Sequence, residues 1–470
     1  MSLIQYLIPG YFQEGMNEAP LSLNDPIVAL ATPWGKSAVA VIRTSGDGCI
    51  SLTDAVFQGP HVLAERDGHT LSHGYVVDPS TGEKVDEVLA AVFHGPRSYT
   101  GEDAVELHLH GGLPTIARVL DVLRTQGFRD ASPGEFTLRA FINNKLDLTR
   151  AEAVNDIVNA RSDRARALAL SRLSGKLHDV IDSIKNNLVA VLAGIEVMID
   201  YPDETNAPAP DSIKALGEES ARVESLLHTY AAGRMFQEGA VAVVAGRTNA
   251  GKSTLFNLLL KEDRSIVSAE HGTTRDFIEA AVTVAGIPIR LIDTAGLRDA
   301  APRVEEEGIR RTRRMLEGAD LIMYLVDASV GLSDEDRRIL DKPPGKAALI
   351  RLWTKIDAST SPAPRGFIPV SALTHSGFPE LETAVRRALV DDRTGGDTPA
   401  PLIDSLRQKE ALEAALTAIN RTRTGLETNA SCDLLAADLR EAVDALGRIT
   451  GEVTSTDVLE TIFSHFCVGK

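Results

Sequence analysis

A chain of 470 residues, 43% hydrophobic and 24% charged, is longer than one hydrophobic core organises and implies about three domains. With 49 basic against 66 acidic residues the net charge is −17, which excludes a surface that is one continuous basic footprint for nucleic acid. Three cysteines, Cys49, Cys432 and Cys467, stand far apart with no CxxC pair, which excludes a disulfide framework or a zinc site and fits the reducing cytoplasm.

Residues 1–24 have no hydrophobic periodicity and no basic leader, and they are expected to be a disordered extension, with Met16 as an alternative start. No apolar run reaches the about 18 residues of a membrane-spanning helix, so no membrane association is expected. Residues 25–146 read as an α+β domain. Ile27–Thr32 and Ala38–Arg43 flank the turn Pro33-Trp34-Gly35, and Glu87–Phe93 is a further buried strand.

Residues 147–235 are helical. Leu177, Ile181, Ile184, Leu188, Leu192, Ile195 and Ile199 trace one face at three- or four-residue spacing, and a second helix capped by Asp211 is expected to reach about Tyr230. Over 236–390 strands alternate with helices, the pattern of a mostly parallel sheet, with strands at Ala240–Ala245, Ile289–Ile292, Leu321–Val326, Ala348–Leu352 and Phe367–Val370. Helical texture returns over 391–470, in Leu406, Leu412, Leu416, Ile419, Leu435, Leu439 and Leu446. The simplest fold is multidomain α+β and α/β, with an α/β domain inserted into a two-part helical domain; a plain string of domains is the alternative.

Gly246-Arg247-Thr248-Asn249-Ala250-Gly251-Lys252-Ser253 matches GxxxxGK[ST] between a strand and a helix, the placement of a phosphate loop. Its backbone N–H groups converge on phosphate oxygens, Lys252 neutralises them, and the Ser253 hydroxyl suits Mg²⁺. Four further stations follow in order. A hydroxyl of Thr273 or Thr274, in the Gly272-Thr273-Thr274 segment, can close on Mg²⁺, and Asp293-Thr294-Ala295-Gly296 can hold Mg²⁺ through water and sense the γ-phosphate. In Thr354-Lys355-Ile356-Asp357 the acceptor-only Asp357 carboxylate suits the donor edge of guanine, and Ser371-Ala372-Leu373 follows the last strand. Together they point to GTP in a Ras-like P-loop domain. Leu297 follows Gly296, where a water-orienting Gln is common, so hydrolysis needs another polar group and another positive charge. Glu305 lies within reach in sequence and is equally suited to a solvated first turn of a helix.

Outside these stations the chain resembles the MnmE (TrmE) family of tRNA modification GTPases. The match runs through Ala31-Thr32-Pro33, Val41–Gly46, Tyr99–Asp103 with His108–Gly112, Gly134–Phe141 with Lys145–Leu148, and the terminal Phe466-Cys467-Val468-Gly469-Lys470. The resemblance implies a homodimer through the N-terminal domains, tRNA as substrate, and a flavoprotein partner of the MnmG (GidA) type in a heterotetramer. It implies installation of a carboxymethylaminomethyl or aminomethyl group at C5 of the wobble uridine, position 34, from 5,10-methylene- or 5-formyl-tetrahydrofolate.

Residue by residue, the resemblance places folate on Arg43, Glu102, Lys145 and Lys470, and it leaves Cys467 a candidate of unassigned role. It places GTP on Asn249, Ala250, Gly251, Lys252, Ser253 and Thr254. Further GTP positions are Ser268, Ala269, Glu270, His271, Gly272, Thr273, Thr274, Asp293, Thr294, Ala295, Gly296, Thr354, Lys355, Asp357, Ser371, Ala372 and Leu373. Mg²⁺ falls to Ser253 and Thr274, and a K⁺ ion supplying the missing charge falls to Asn249, Ser268, Glu270 and Thr273. Glu305 becomes the residue that orients the attacking water. The chain departs from the family at Thr354, where Asn is usual, at Ser268–His271, and at Trp34. An RNA-binding GTPase of the Era or Der kind would need a C-terminal GxxG module or a second phosphate loop, and neither is present.

Overall fold

The structure, a computed structural model, describes residues 25–201, 210–262, 278–293, 318–342, 347–390 and 402–470; the extension 1–24 lies outside them. Two compact units emerge, one running to Asn155 and completed by Gly447–Lys470, the other from Asp156 to Leu446. The second helical part expected over 391–470 therefore divides at Gly447, its last residues belonging to the first unit.

In the first unit, β1 (Ile27–Leu30), β2 (Val39–Ser45), β3 (Phe57–Gln58), β4 (Thr70–Val77), β5 (Lys84–Phe93), β6 (Ala104–His110) and β7 (Arg129–Asp130) form one sheet in the order β3-β4-β5-β6-β2-β1-β7. All pairs are antiparallel except β1 with β7. Period-two alternation sends Ile42, Val92, Val105 and Leu107 to one face, where they share a core with Ile116, Val119, Leu120 and Leu123 of α2 (Leu113–Thr125). The opposite face carries Arg43 directly across from Glu106 in the β2–β6 register. The helix of Cys49–Asp54, α1, lies on the core side, and α3 (Glu135–Ile142) precedes α4 (Leu148–Asn159), whose first turn is capped by the Asp147 carboxylate accepting from Thr149 and Arg150 N–H groups at 2.9 and 3.1 Å.

The second unit continues with α5 (Asp163–Leu173), α6 (Lys176–Asp200) and α7 (Pro210–Gln237). On α6 the expected face holds, with Leu177, Ile181, Ile184, Leu188 and Ile195 buried and Leu192 and Ile199 half-buried. The α7 helix runs seven residues beyond the expected Tyr230. Beyond the α/β segment, α11 (Leu406–Glu427) packs along α7, with Ser220 and Asn420 side chains 3.1 Å apart. Helices on both sides of the insert thus share a core, which is the inserted architecture rather than a string of domains.

Inside the insert, β8 (Ala240–Gly246), β9 (Ile278–Val284), β10 (Ile287–Asp293), β11 (Leu321–Asp327), β12 (Ala348–Thr354) and β13 (Phe367–Val370) are ordered β13-β12-β11-β8-β10-β9. Every pair is parallel except the β9–β10 hairpin. Helices α8 (Lys252–Glu262), α9 (Asp334–Asp341) and α10 (Phe378–Leu389) belong to this domain, and α12 (Cys432–Thr450) and α13 (Thr456–Ser464) end the chain.

The chain returns from the insert through a buried ion cluster. Arg172, 3% exposed, donates to Asp404 at 2.6 Å and to Asp156 at 2.8 Å, and the Thr229 hydroxyl accepts from Ile403 N–H at 3.2 Å. Removing this cation would take its charge and both hydrogen bonds from two largely buried carboxylates, so Arg172→Ala is expected to cost about 3–5 kcal/mol of stability. Urea unfolding of the full chain measures this, and a wild-type midpoint would refute the assignment.

Candidate functional site

The phosphate loop is built by backbone conformations that side chains resist. Gly246 ends β8 at φ 140°, and a Cβ there would lie 2.4 Å from the Leu325 carbonyl oxygen of the neighbouring strand, so only glycine fits. Asn249 at φ 64° and Gly251 at φ 90° turn the loop immediately before α8, which places it at a helix N-terminus, where backbone N–H groups suit an anion. Lys252, 7% exposed, spans the loop, its ammonium donating to the Gly246 and Arg247 carbonyls at 3.0 and 2.8 Å. Asn249, Ser253 and Thr254 are exposed along the loop and the first turn of α8. The last residue of β10, Asp293, sits opposite Val244 of β8 in the parallel register, two residues short of Gly246.

Beside the loop lies a cavity of about 120 Å³ lined by Gly251, Thr254, Leu255, Thr354, Lys355, Asp357, Val370, Ala372 and Leu373. Most of these were expected from the sequence. Leu255 and Val370 were not, because an apolar residue at the start of a helix or the end of a buried strand looks like core. Three side-chain ties fix the wall. Thr354, 5% exposed, places its hydroxyl 2.8 Å from the Ala250 carbonyl and 3.1 Å from that of Val326, so a threonine here joins the phosphate loop to the strand ends. Lys355, at φ 58°, pairs with Asp327 at 2.7 Å. Burial opposes the charge on Asp327, but Lys355 and the Ser329 donors outweigh it and hold the carboxyl below the ordinary range.

The third tie is the fully buried Ser371 hydroxyl, which donates to Asp357 and accepts from the N–H groups of Leu373 and Thr374 at 3.3 and 3.2 Å. Asp357 is thereby held through one carboxylate oxygen in the wall of the cavity, and an ionised carboxylate there can only accept. Asp357→Asn should lower GTP affinity at least about tenfold, since an unmatched donor costs more than about 1.4 kcal/mol, and should shift preference toward XTP. Competitive nucleotide titration checks this, and an unchanged GTP-over-XTP preference would sink the assignment. Ser268, Ala269, Glu270, His271, Gly272, Thr273, Thr274, Thr294, Ala295, Gly296, Leu297 and Glu305 lie outside the described residues, as does the side chain of Asp293.

In the first unit a separate cluster gathers the other expected residues. Arg43 on β2 donates through Nε to Glu106 at 2.8 Å and through Nη1 to the carbonyl of Gly469 at 3.1 Å, with the Tyr99 and Phe136 rings each 5.7 Å from its guanidinium carbon. The C-terminal tail is seated closely: Gly469 is at φ 92°, and a Cβ there would come within 2.6 Å of the Leu30 carbonyl oxygen. Glu102 accepts from the Ser45 hydroxyl at 2.8 Å and from Arg139 at 3.1 Å. Lys145 donates to the Pro96 carbonyl at 2.8 Å and lies beside Gly101. Lys470 is half-buried, its N–H directed to the Cys467 carbonyl at 3.3 Å, and Cys467 is exposed. Burial pushes the thiol of Cys49 up to about 12, so it is an inert core residue. Sequence reading missed Ser45, Thr100 and Arg139, which sit within or beside quoted motifs but show their role only through contacts.

Among the described residues no helix is long and apolar enough to cross a membrane, and no group of three or more His, Cys, Asp or Glu side chains could hold a metal ion.

The family model for the GTP-binding protein TrmE N-terminus matches residues 26–145, and that for the MnmE helical domain matches 148–467. A tRNA modification GTPase MnmE of Borrelia recurrentis is 40% identical over 460 residues, covering 95% of this chain and 98% of the relative. Those of Carboxydothermus hydrogenoformans and Treponema denticola are 39% and 40% identical, covering 95% and 96% of this chain and 100% and 99% of theirs. Among solved structures, Aquifex aeolicus Era bound to GDP and AlF4⁻ aligns with 38% of this chain and 66% of that chain at 26% identity, with a TM-score of 0.27. Matched by both family models and by relatives over nearly its full length, the chain belongs to the tRNA modification GTPase MnmE family.

Proposed function

We propose that this GTPase uses hydrolysis of GTP to drive the addition of a carboxymethylaminomethyl or aminomethyl group to C5 of the wobble uridine of tRNA. The observation that carries the reading is the phosphate loop and the Asp357 cavity standing side by side, in a chain whose relatives are named for tRNA modification over nearly their whole length. The loop amides and Lys252 bind the phosphates, and Asp357, held by Ser371, selects guanine. Ser253 and Thr274 would hold Mg²⁺, and Asn249, Ser268, Glu270 and Thr273 would hold K⁺, and the two ions would supply positive charge against the phosphoryl oxygens. Glu305 orients the attacking water in place of the glutamine that Leu297 replaces.

The first unit is the folate side of the same function. Its donor set fits a reduced pterin with an anionic tail: Glu102 offers a carboxylate to a donor edge, while Arg43, Lys145 and Lys470 are cations around it. Bound tetrahydrofolate supplies the one-carbon unit. The chain works in the cytoplasm as a homodimer through its N-terminal domains, with a flavoprotein of the MnmG type in a heterotetramer. Mass spectrometry of wobble uridine in tRNA from cells lacking the gene tests the proposal. The modified nucleoside should vanish and return with the wild-type gene, and its persistence would overturn the reading.

A further inference from the structure

We infer that Arg139 and Ser45 are positioning residues that fix Glu102 as a one-sided acceptor for the donor edge of the ligand. The inference rests on the proposed folate role of Glu102 and adds what makes that carboxylate fit for it.

Arg139 projects from α3 and is 1% exposed, which is an expensive place for a cation unless carboxylates surround it. Its Nη2 donates to Glu135 at 2.8 Å and to the Asp25 carbonyl at 2.9 Å, and its Nη1 donates to Glu102 at 3.1 Å. Glu135 does not consume that charge alone. It is also paired with Arg129 at 2.7 Å and accepts from the Ser132 N–H at 2.9 Å. Two guanidinium groups therefore face three carboxylates, Glu135, Glu102 and the more exposed Asp25, 3.7 Å from Arg129 Nε, and Glu102 is the second carboxylate that Arg139 meets.

The direction of Glu102 is fixed as well as its charge. Both donors, Arg139 Nη1 and the Ser45 hydroxyl at 2.8 Å, converge on Oε2. Ser45 is fully buried and its hydroxyl is 2.7 Å from that of Thr100, which in turn accepts from the Glu102 N–H at 3.3 Å. If Ser45 gives its proton to Glu102, Thr100 gives its own to Ser45, and the ring of contacts closes on the loop that carries Glu102. Among the described residues no hydrogen bond reaches Oε1, and the side chain is 18% exposed. One oxygen is thus locked into the protein and the other is presented outward. That arrangement suits a planar heterocycle with adjacent ring N–H and amino donors. Ser45 also lies two positions from Arg43 on the same face of β2, so the donor to Glu102 and the clasp of the C-terminal tail share one strand.

The test is equilibrium binding of (6S)-5-formyltetrahydrofolate to the full chain by calorimetry, with thermal unfolding and GDP affinity measured on each variant as a check of folding. Glu102→Gln should weaken binding strongly. Ser45→Ala should weaken it about fivefold or more and Arg139→Lys about tenfold or more, the scale of a lost charge-assisted hydrogen bond. Each should have little further effect when combined with Glu102→Gln, because they act through that residue. Wild-type affinity in Glu102→Gln overturns the folate reading and the inference with it. Loss in Glu102→Gln alongside wild-type affinity in Ser45→Ala and Arg139→Lys overturns the inference alone. So does an undiminished loss from Ser45→Ala in the Glu102→Gln background, which would mark a purely structural role. Should Arg139→Lys fail to fold, Ser45→Ala carries the same decision.

Discussion

GTP hydrolysis by the full chain is expected to run about 10³- to 10⁵-fold faster in K⁺ than in Na⁺ at equal ionic strength, the range that an arginine finger supplies elsewhere. The reason lies in what the phosphate site contains. Charge developing on the phosphoryl oxygens must be met in the transition state, and Lys252 is already bound across the loop to the Gly246 and Arg247 carbonyls. Asn249, exposed and held at φ 64°, stands at the open side of the loop with an amide oxygen suited to an alkali cation. Asn249→Ala should remove most of the difference between the two salts while leaving the slow Na⁺ rate in place. Equal rates in K⁺ and Na⁺ would rule out the cation and turn attention to Arg247, which is exposed on the same loop, or to Arg275, which lies outside the described residues.

The parts of the fold that could be read beforehand are those where burial alone dictates the residue type. In the inserted domain β8 and β11 are almost unbroken apolar runs and β10 and β12 are interrupted by one arginine each, so these strands and the edge strand β13 lie within two residues of their expected ends. The hairpin partner β9 was missed. It is an edge strand with the mixed pattern Ile278-Glu279-Ala280-Ala281-Val282-Thr283-Val284, which carries too little hydrophobic signal to separate it from the polar segment before it. In the first unit β4 holds His73 and Gly74 and β6 alternates Glu106, His108 and His110 with apolar residues, so both looked less like strands than β5 did. Assignment of 447–470 to the first unit was beyond reach of periodicity. Helical texture does not say which core a helix joins, whereas a Cβ on Gly451 would come within 2.7 Å of the Phe141 ring.

The candidate site divides along the same line. Spacing exposed the phosphate loop and Asp357 because their chemistry demands fixed residue types at fixed separations. It could not expose Ser371 as the group that aims Asp357, or Arg139 as the partner of Glu102, since these pairs are 14 and 37 residues apart and meet only after folding. Thr354 shows the converse. It departs from the usual Asn, yet its hydroxyl bridges the Ala250 and Val326 carbonyls.

The last expected result separates chemistry from binding at Glu305. A carboxylate that orients the attacking water acts in the transition state and not on bound GTP, so Glu305→Ala should lower kcat by at least about 10²-fold and leave nucleotide affinity within a few fold. A first-turn acid that merely complements a helix dipole would behave differently, its loss costing about 0.3–1 kcal/mol of stability with turnover nearly intact. Single-turnover hydrolysis beside fluorescent GDP and GTP-analogue titrations decides between them. A wild-type rate would refute the catalytic role, and a parallel collapse of affinity would mean that the substitution damages the phosphate site itself. The two halves of the chain make the variant informative beyond hydrolysis. The Glu102 cluster lies in the first unit and the phosphate loop in the second, so Glu305→Ala should leave tetrahydrofolate binding intact while wobble uridine in cells stays largely unmodified. That combination would place the GTPase cycle, and not folate capture, as the step on which modification depends.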